Sequence, residues 1–274
     1  MASGLWLVKV FTDHGQRTTD NEIMQLLVLG TGEAFDDNGL GNTSFIYSGK
    51  GQPTILFDCG YQIPERLWQS PKIYPHIDAV YITHLHGDHT MGLVPLFIRF
   101  LEEKRKKTLT VFGPRGVQKN IEEMAGLAYS SIFKKITFAI EFKELCCDQE
   151  FVYKKMKFAC AHSSHSRENL SVRVWPSQKK SFCISGDGAL TEAMMRLYQG
   201  TDLLLQEVFS PKPAGVFHCD LEMLLDYTDE SDIKKIGVTH ISRHYLKEMK
   251  RLVSNHKART YKLFVPKPGQ KISL

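Results

Sequence analysis

Nothing in the 274-residue sequence approaches the ~18 consecutive apolar residues of a membrane-spanning helix, so no membrane span is expected. The opening "MASGLWLVKVF" has only a short apolar run, interrupted by Lys9, and does not read as a secretory signal. Cysteine is sparse: six residues (Cys59, Cys146, Cys147, Cys160, Cys183 and Cys219) with no CxxC spacing and one adjacent pair. That pattern argues against a disulfide framework and for a reducing, cytoplasmic setting. Charge of one sign is also in short supply, since 35 Lys and Arg face 30 Asp and Glu for a net charge of +5. This allows an anionic substrate but falls far short of a dedicated nucleic-acid binder. The densest basic run, "EEKRKK" at 102–107, reads as the solvated end of a helix, where the dipole alone favours lysine.

Ser/Gly linkers and internal repeats are missing too, which leaves nothing to divide the chain. What is present is an end-to-end interleaving of short β-rich runs and helical patterns. "IMQLLVLGTG", "TSFIYSG", "TILFDCG", "AVYITH", "LTVFGP", "MKFACAH", "LSVRV", "SFCISGDG", "DLLLQEV", "KIGVTH" and "YKLFVP" suit buried strands. The clearest helices fall at 92–104, 191–200, 221–231 and 244–257. A single α/β domain over residues 1–274 is therefore expected, with 1–23 an N-terminal extension to which the sequence gives no role.

The most informative stretch is "THLHGDHT" at 83–90, directly behind "AVYI". On an extended segment His84 and His86 project to one face while Leu85 turns to the core. Gly87 is then expected to free the backbone to turn, bringing Asp88 and His89 into the same space, with Thr90 as the N-cap of the next helix. A solvated polar turn does not call for three histidines and an aspartate at the end of a buried strand; divalent-metal ligation does. Four candidate ligands exceed the three of a mononuclear catalytic zinc site and point to a second ion. Other histidines and acids repeat the placement: His162 and His165 follow "MKFACA", Asp187 lies in "SGDG", and His240 ends "KIGVTH". Seven of the eleven histidines fall in "THLHGDH", "AHSSH", "VFHCD" and "VTH", and open α/β sheets place their sites at the carboxyl ends of strands.

These segments, with "LGTGEAF", "GNTS" and "FDCG", resemble the metallo-β-lactamase superfamily of binuclear metallohydrolases over roughly Met24 to Phe264. The resemblance implies a four-layer αββα sandwich, two mixed sheets face to face with helices outside and the site along one edge. It implies two divalent ions. One would be held by His84, His86 and His165, the other by Asp88, His89 and His240, with Asp187 bridging them. His165 is preferred to His162 because the family's histidine precedes a strand similar to "VRV" by seven residues; His162 is the alternative. Asp58 matches an acid that orients a ligand imidazole. Zinc suits the donor set, and manganese or iron also fit. Such a pair of ions activates water and stabilises a leaving oxygen, which makes the expected protein a hydrolase.

The last third of the chain is similar to the ribonuclease Z and phosphodiesterase branch. There "LLLQEVFS", "VFHCDLE" and "VTHISRHY" supply Glu207, His218 and His240. The resemblance makes His218 the acid that protonates the leaving alkoxide and Glu207 the group that orients it, with Asp88 counted among the catalytic groups as well as the ligands. His218 as a simple helix cap before "DLEMLLDY" is the other reading, although Asp220 could serve there. Arg243 is expected either to contact a substrate phosphate or to pair with a surface acid.

Two features depart from ribonuclease Z. The first loop reads "FDDNGLGNTS", and no arm for clamping transfer RNA is visible between His89 and His165. The expected substrate is therefore a small or cyclic phosphodiester, a nucleotide or an RNA end. Dimers are common in the family, so a homodimer is allowed. Two other function classes stay open: a hydrolase of carboxylic esters, thioesters or lactones, which would not need His218, and a metal-bound scaffold without turnover.

Overall fold

Hydrophobic runs bounded by Gly, Asp and Asn supply strands whose residues alternate between two buried faces. In the computed structural model, residues 24–213, 215–228, 231–258 and 260–274 are described, and the expected extension at 1–23 lies outside them. The strands are β1 (Gln25–Gly30), β2 (Ser44–Ser48), β3 (Thr54–Phe57), β4 (Ile77–Tyr81), β5 (Leu109–Gly113), β6 (Ile140–Glu144), β7 (Glu150–Tyr153), β8 (Met156–His162), β9 (Leu170–Ser177), β10 (Lys180–Ile184), β11 (Leu203–Glu207), β12 (Lys235–Thr239), β13 (Lys262–Phe264) and β14 (Lys271–Ser273). They form two seven-stranded mixed sheets, ordered β14-β1-β2-β3-β4-β5-β6 and β13-β12-β11-β10-β9-β8-β7.

The period of two explains the layering. Ile55 and Phe57 of β3 enter the core between the sheets while Leu56 faces outward. In the second sheet Leu203 and Leu205 of β11 face inward while Leu204 faces out. Phe182 locks the sheets together, stacking on Tyr47 at 5.4 Å and meeting Phe57 edge-on at 5.7 Å. A fully buried phenylalanine contributes about 1.5–3 kcal/mol.

The outward faces are covered by helices. Those are α1 (Ile63–Trp68), α2 (Gly87–Thr90), α3 (Leu93–Glu102), α4 (Val117–Ala128), α5 (Ile132–Lys135), α6 (Glu192–Tyr198), α7 (Leu221–Thr228) and α8 (Leu246–Asn255). Leu96, Phe97 and Phe100 of α3 and Ile121 of α4 pack on the first sheet; Met194 of α6, Leu224 of α7 and Met249 of α8 pack on the second. The result is the expected αββα arrangement.

Several local expectations are corrected. β4 ends at Tyr81, so His84 and His86 sit on the loop behind the strand. Gly87 takes no left-handed conformation but is the first residue of the one-turn helix α2, which itself carries Asp88 and His89 round. Thr90 caps nothing downstream: its hydroxyl donates back to the His86 carbonyl at 2.8 Å, and Gly92 stands at the N-cap of α3 without a side-chain bond. Within "EEKRKK", Arg105 is buried rather than solvated, donating to the carbonyls of Lys107, Pro75, Ile77 and Thr108. Between His89 and His165 no connection between successive elements exceeds the six residues 103–108, apart from the loop that carries His165 itself, so the chain has no arm there.

Candidate metal centre

The site lies where β3, β4, β8, β10, β11 and β12 present their carboxyl ends. Residues just beyond those ends are Asp58, the 82–86 loop, His165, Asp187, Glu207 itself and His240. Two groups of side chains converge there, His84 with His86 and His165, and Asp88 with His89, Asp187 and His240. In the first, the His86 Nδ1 atom lies 3.1 Å from His84 Nε2 and 3.2 Å from His165 Nε2. In the second, His89 Nε2 lies 3.2 Å from Asp88 Oδ2 and 3.5 Å from Asp187 Oδ1, and His240 Nε2 lies 3.3 Å from Asp187 Oδ2. Asp187 Oδ2 also stands 3.8 Å from His84 Nε2, which puts this carboxylate between the groups.

In three of the five histidines the other ring nitrogen fixes the tautomer. His89 Nδ1 donates to Asp58 Oδ2 at 2.7 Å, and His165 Nδ1 donates to the Phe217 carbonyl at 2.8 Å. Thr83 Oγ1 donates to Asp58 Oδ2 and is therefore free to accept from His84 Nδ1 at 3.1 Å. Each arrangement leaves a lone pair on Nε2 aimed at the cluster centre, the way a metal-ligating imidazole is held. Buried His89 Nε2 and Asp187 Oδ1 find no hydrogen-bond partner in the protein. Orphaned atoms of this kind, among convergent imidazole nitrogens and carboxylates, fit divalent cations.

Of the residues singled out in the sequence, His162 stays apart, exposed at the end of β8, while His165 joins His84 and His86. Asp220, not His218, caps α7, accepting from Met223 N at 2.9 Å. His218 instead donates through Nδ1 to Glu207 Oε1 at 2.9 Å, stacks on Phe209 at 4.5 Å, and sits 5.3 Å ring to ring from His165. Arg243 pairs at 2.6 Å with Glu33, which is buried rather than a surface acid. Sequence reading missed Asn169, whose Oδ1 accepts from Asp187 N at 3.1 Å; an asparagine opening a strand carries no signal of that task.

A family model described as Anti-Pycsar protein Apyc1 matches residues 24–263. The chain belongs to this Apyc1 family, on the ribonuclease Z and phosphodiesterase branch of the metallo-β-lactamase superfamily. A ribonuclease Z of Listeria welshimeri is 31% identical over 274 aligned positions, covering 81% of this chain and 90% of the relative. The Anti-Pycsar protein Apyc1 of Bacillus phage BSP38 is 25% identical over 237 positions, covering 79% and 88%. The metallo-β-lactamase fold protein YhfI of Bacillus subtilis superposes with a TM-score of 0.76 at 17% identity, covering 92% of this chain and 100% of that one.

In this Apyc1-family chain, burial and neighbouring charges sort the protons. Burial, helped by the adjacent imidazoles, lowers the pKa of His84 and of His86 and keeps both neutral and ligand-ready. Burial alone would raise Asp88 and Asp187, but the surrounding histidines hold both below the ordinary carboxylate range. Glu207 behaves differently. Burial pushes its carboxyl up to about 7 against the pull of the His218 hydrogen bond, with the Asp187 charge adding to the rise. Burial opposes charge on His218, yet the Glu207 hydrogen bond raises its pKa above the usual imidazole value. His240 holds a left-handed backbone, φ 54°, uncommon for a histidine and a form of strain that gathers at functional sites.

Proposed function

We propose that this chain is a metal-dependent phosphodiesterase holding two divalent ions, with zinc the best match to the donors and manganese or iron as alternatives. His84, His86 and His165 would hold one ion, and Asp88, His89 and His240 the other, with Asp187 reaching both. Bound there, such ions supply Lewis acidity and lower the pKa of water. The chain's own residues do the rest.

The observation that carries the phosphodiester reading is the Glu207–His218 pair beside His165. A thioester expels a thiolate that needs no added proton, whereas an alkoxide leaving phosphorus is a poor leaving group and gains from an acid. His218 spends Nδ1 on Glu207, which leaves Nε2 for the departing oxygen. Its side chain is 32% exposed, enough to meet a substrate, while Glu207 is 1% exposed and acts only through the imidazole. Glu207 is itself fixed, accepting from Cys219 N at 2.9 Å and Gly188 N at 3.3 Å. Phe209 holds the other face of the ring, so His218 donates from one orientation.

The substrate we propose is small: a cyclic or short phosphodiester, a nucleotide or an RNA end, in keeping with the lack of an arm. Six free cysteines, four of them buried, support a reducing, cytoplasmic setting. The test is hydrolysis of a 3′,5′-cyclic nucleotide, whose leaving group is an alkoxide, by metal-loaded protein, wild type beside His218→Ala. Loss of about 10²–10⁴-fold in the variant is expected of a general acid. An inert wild type, or a variant as fast as wild type, would overturn the reading, and turnover of thioesters or lactones would then be sought.

A further inference from the structure

Two phenylalanine rings stand in solvent on loops that belong to the site. Phe35 is 73% exposed and Phe217 49%, although burying such a ring is worth about 1.5–3 kcal/mol. Loose loops would explain this, but neither loop is loose. Phe35 N donates to Glu33 Oε2 at 2.8 Å, and the neighbouring Ala34 carbonyl accepts from the Tyr61 hydroxyl and from Asn42 Nδ2. Further along the same loop the Asp36 carboxylate accepts from Leu40 N at 2.6 Å and Gly41 N at 3.2 Å. Phe217 is pinned likewise: its carbonyl accepts from His165 Nδ1, and the Val216 carbonyl accepts from Ser164 Oγ at 3.0 Å. Both rings are displayed on rigid backbone.

Their positions connect them to the chemistry. Phe217 immediately precedes His218. The Phe35 loop is tied to the segment carrying His240, because His240 N donates to the Thr31 carbonyl at 2.9 Å and Gly32 bridges Ile241. Arg243, anchored by Glu33, places its guanidinium 6.0 Å over the Phe35 ring. A fixed aromatic face with an arginine plane beside it is what an unstacked nucleobase binds, and stacking of this kind is worth about 1–3 kcal/mol per base whatever the base. Because the ring is held in place beforehand, little ordering cost is set against that gain.

We propose that Phe35 and Phe217 are specificity-determining residues that stack the base of a nucleoside phosphodiester held at this site. This rests on the phosphodiesterase reading above. The rings set specificity and take no part in bond breaking: the P–O bond to the leaving group breaks as water adds to phosphorus, and the base stays outside the reacting atoms. Arg243 supports the Phe35 ring and is a positioning residue. Stacking without base-edge hydrogen bonds makes the preference tolerant of base identity.

The test compares thymidine 5′-(p-nitrophenyl phosphate) with methyl p-nitrophenyl phosphate, which share a leaving group and differ in carrying a nucleoside or a methyl group. Wild type is expected to favour the nucleoside ester in kcat/KM. Phe35→Ala should reduce that preference about tenfold, chiefly through KM, with Phe35→Trp retaining it and Phe35→Leu not. Calorimetric titration with thymidine monophosphate and with inorganic phosphate provides a readout apart from turnover, and Phe35→Ala should weaken only the nucleotide. A preference unchanged in both Phe35→Ala and Phe217→Ala overturns the proposal; if light scattering then shows an altered oligomeric state, the rings belong to a contact between copies. If neither ester is cleaved, the phosphodiesterase reading fails, and the titration alone decides the stacking surface.

Discussion

Asp58 Oδ2 accepts from His89 Nδ1 at 2.7 Å, and the same carboxylate accepts from Thr83 N and Thr83 Oγ1 at 2.8 Å each. Asp58 follows β3 in a left-handed conformation, φ 56°, which aspartate tolerates better than most residues. One buried acid thus holds both the loop carrying His84 and the imidazole of His89. Asp58→Asn would keep the shape but offer an amide where a carboxylate fixes the tautomer. Metal affinity should fall about 10–100-fold, measured by competition against a chromogenic zinc chelator. An affinity equal to wild type would mean that Asp58 merely shapes the turn.

The Glu207–His218 pair predicts a specific pH response. Only protonated His218 can donate to the leaving oxygen, and Glu207 raises its pKa. The alkaline limb of kcat for a 3′,5′-cyclic nucleotide, which expels an alkoxide, should therefore lie above the ordinary imidazole value of about 6.5. Glu207→Gln removes the charge that stabilises the imidazolium, so the limb should move to lower pH and the loss of activity should be larger in alkaline than in acid buffer. A uniform loss at every pH would make Glu207 a purely structural support.

Much of this site was legible because its chemistry uses residues that are rare in strands and loops for other reasons. The histidines of "THLHGDH" and "VTH" and the aspartate of "GDG" stand out against the Val, Ile and Leu around them, and all lie in the converging groups. The eleven strands read from apolar runs also stand. β6, β7 and β14 were not legible: β6 and β7 alternate half-buried and exposed residues at a sheet margin, and β14 is three residues long. Arg105 shows a different limit. Its burial depends on the Pro75 and Ile77 carbonyls that another segment brings to it, on those of Lys107 and Thr108 in its own turn, and on the Phe100 ring 4.4 Å away, a geometry that composition does not reveal.

Asp78 ties the two sheets together at one margin. Lying in β4, it accepts from Thr54 N at 3.0 Å, from Lys107 Nζ at 2.9 Å, and from Lys154 in the β7–β8 turn of the other sheet. Burial opposes its charge, but the two lysines and the amide outweigh burial and depress its pKa. The stabilisation is present above the unfolded value of about 4 and is lost as pH falls through the lower folded value. Asp78→Asn should cost about 1–3 kcal/mol at neutral pH in urea unfolding, with the gap to wild type closing in acid. A gap that persists at low pH would assign the effect to shape rather than charge.

Gly186 separates backbone strain from site geometry. Its φ of +64° disfavours any side chain, and a Cβ would meet Asn169 Oδ1 at 2.1 Å and Thr83 Cβ at 2.7 Å. Those two neighbours position the candidate ligands, Asn169 through Asp187 N and Thr83 through Asp58. Gly116 has a φ of +83° but open space around it, so it carries the strain without the collision. Gly116→Ala should cost about 1–2 kcal/mol and leave bound metal unchanged. Gly186→Ala should cost more and should also lower the zinc bound per chain, because Asn169 or Thr83 must give way. Equal losses in urea unfolding with equal metal content would show that the space around Gly186 is not tied to the ligands.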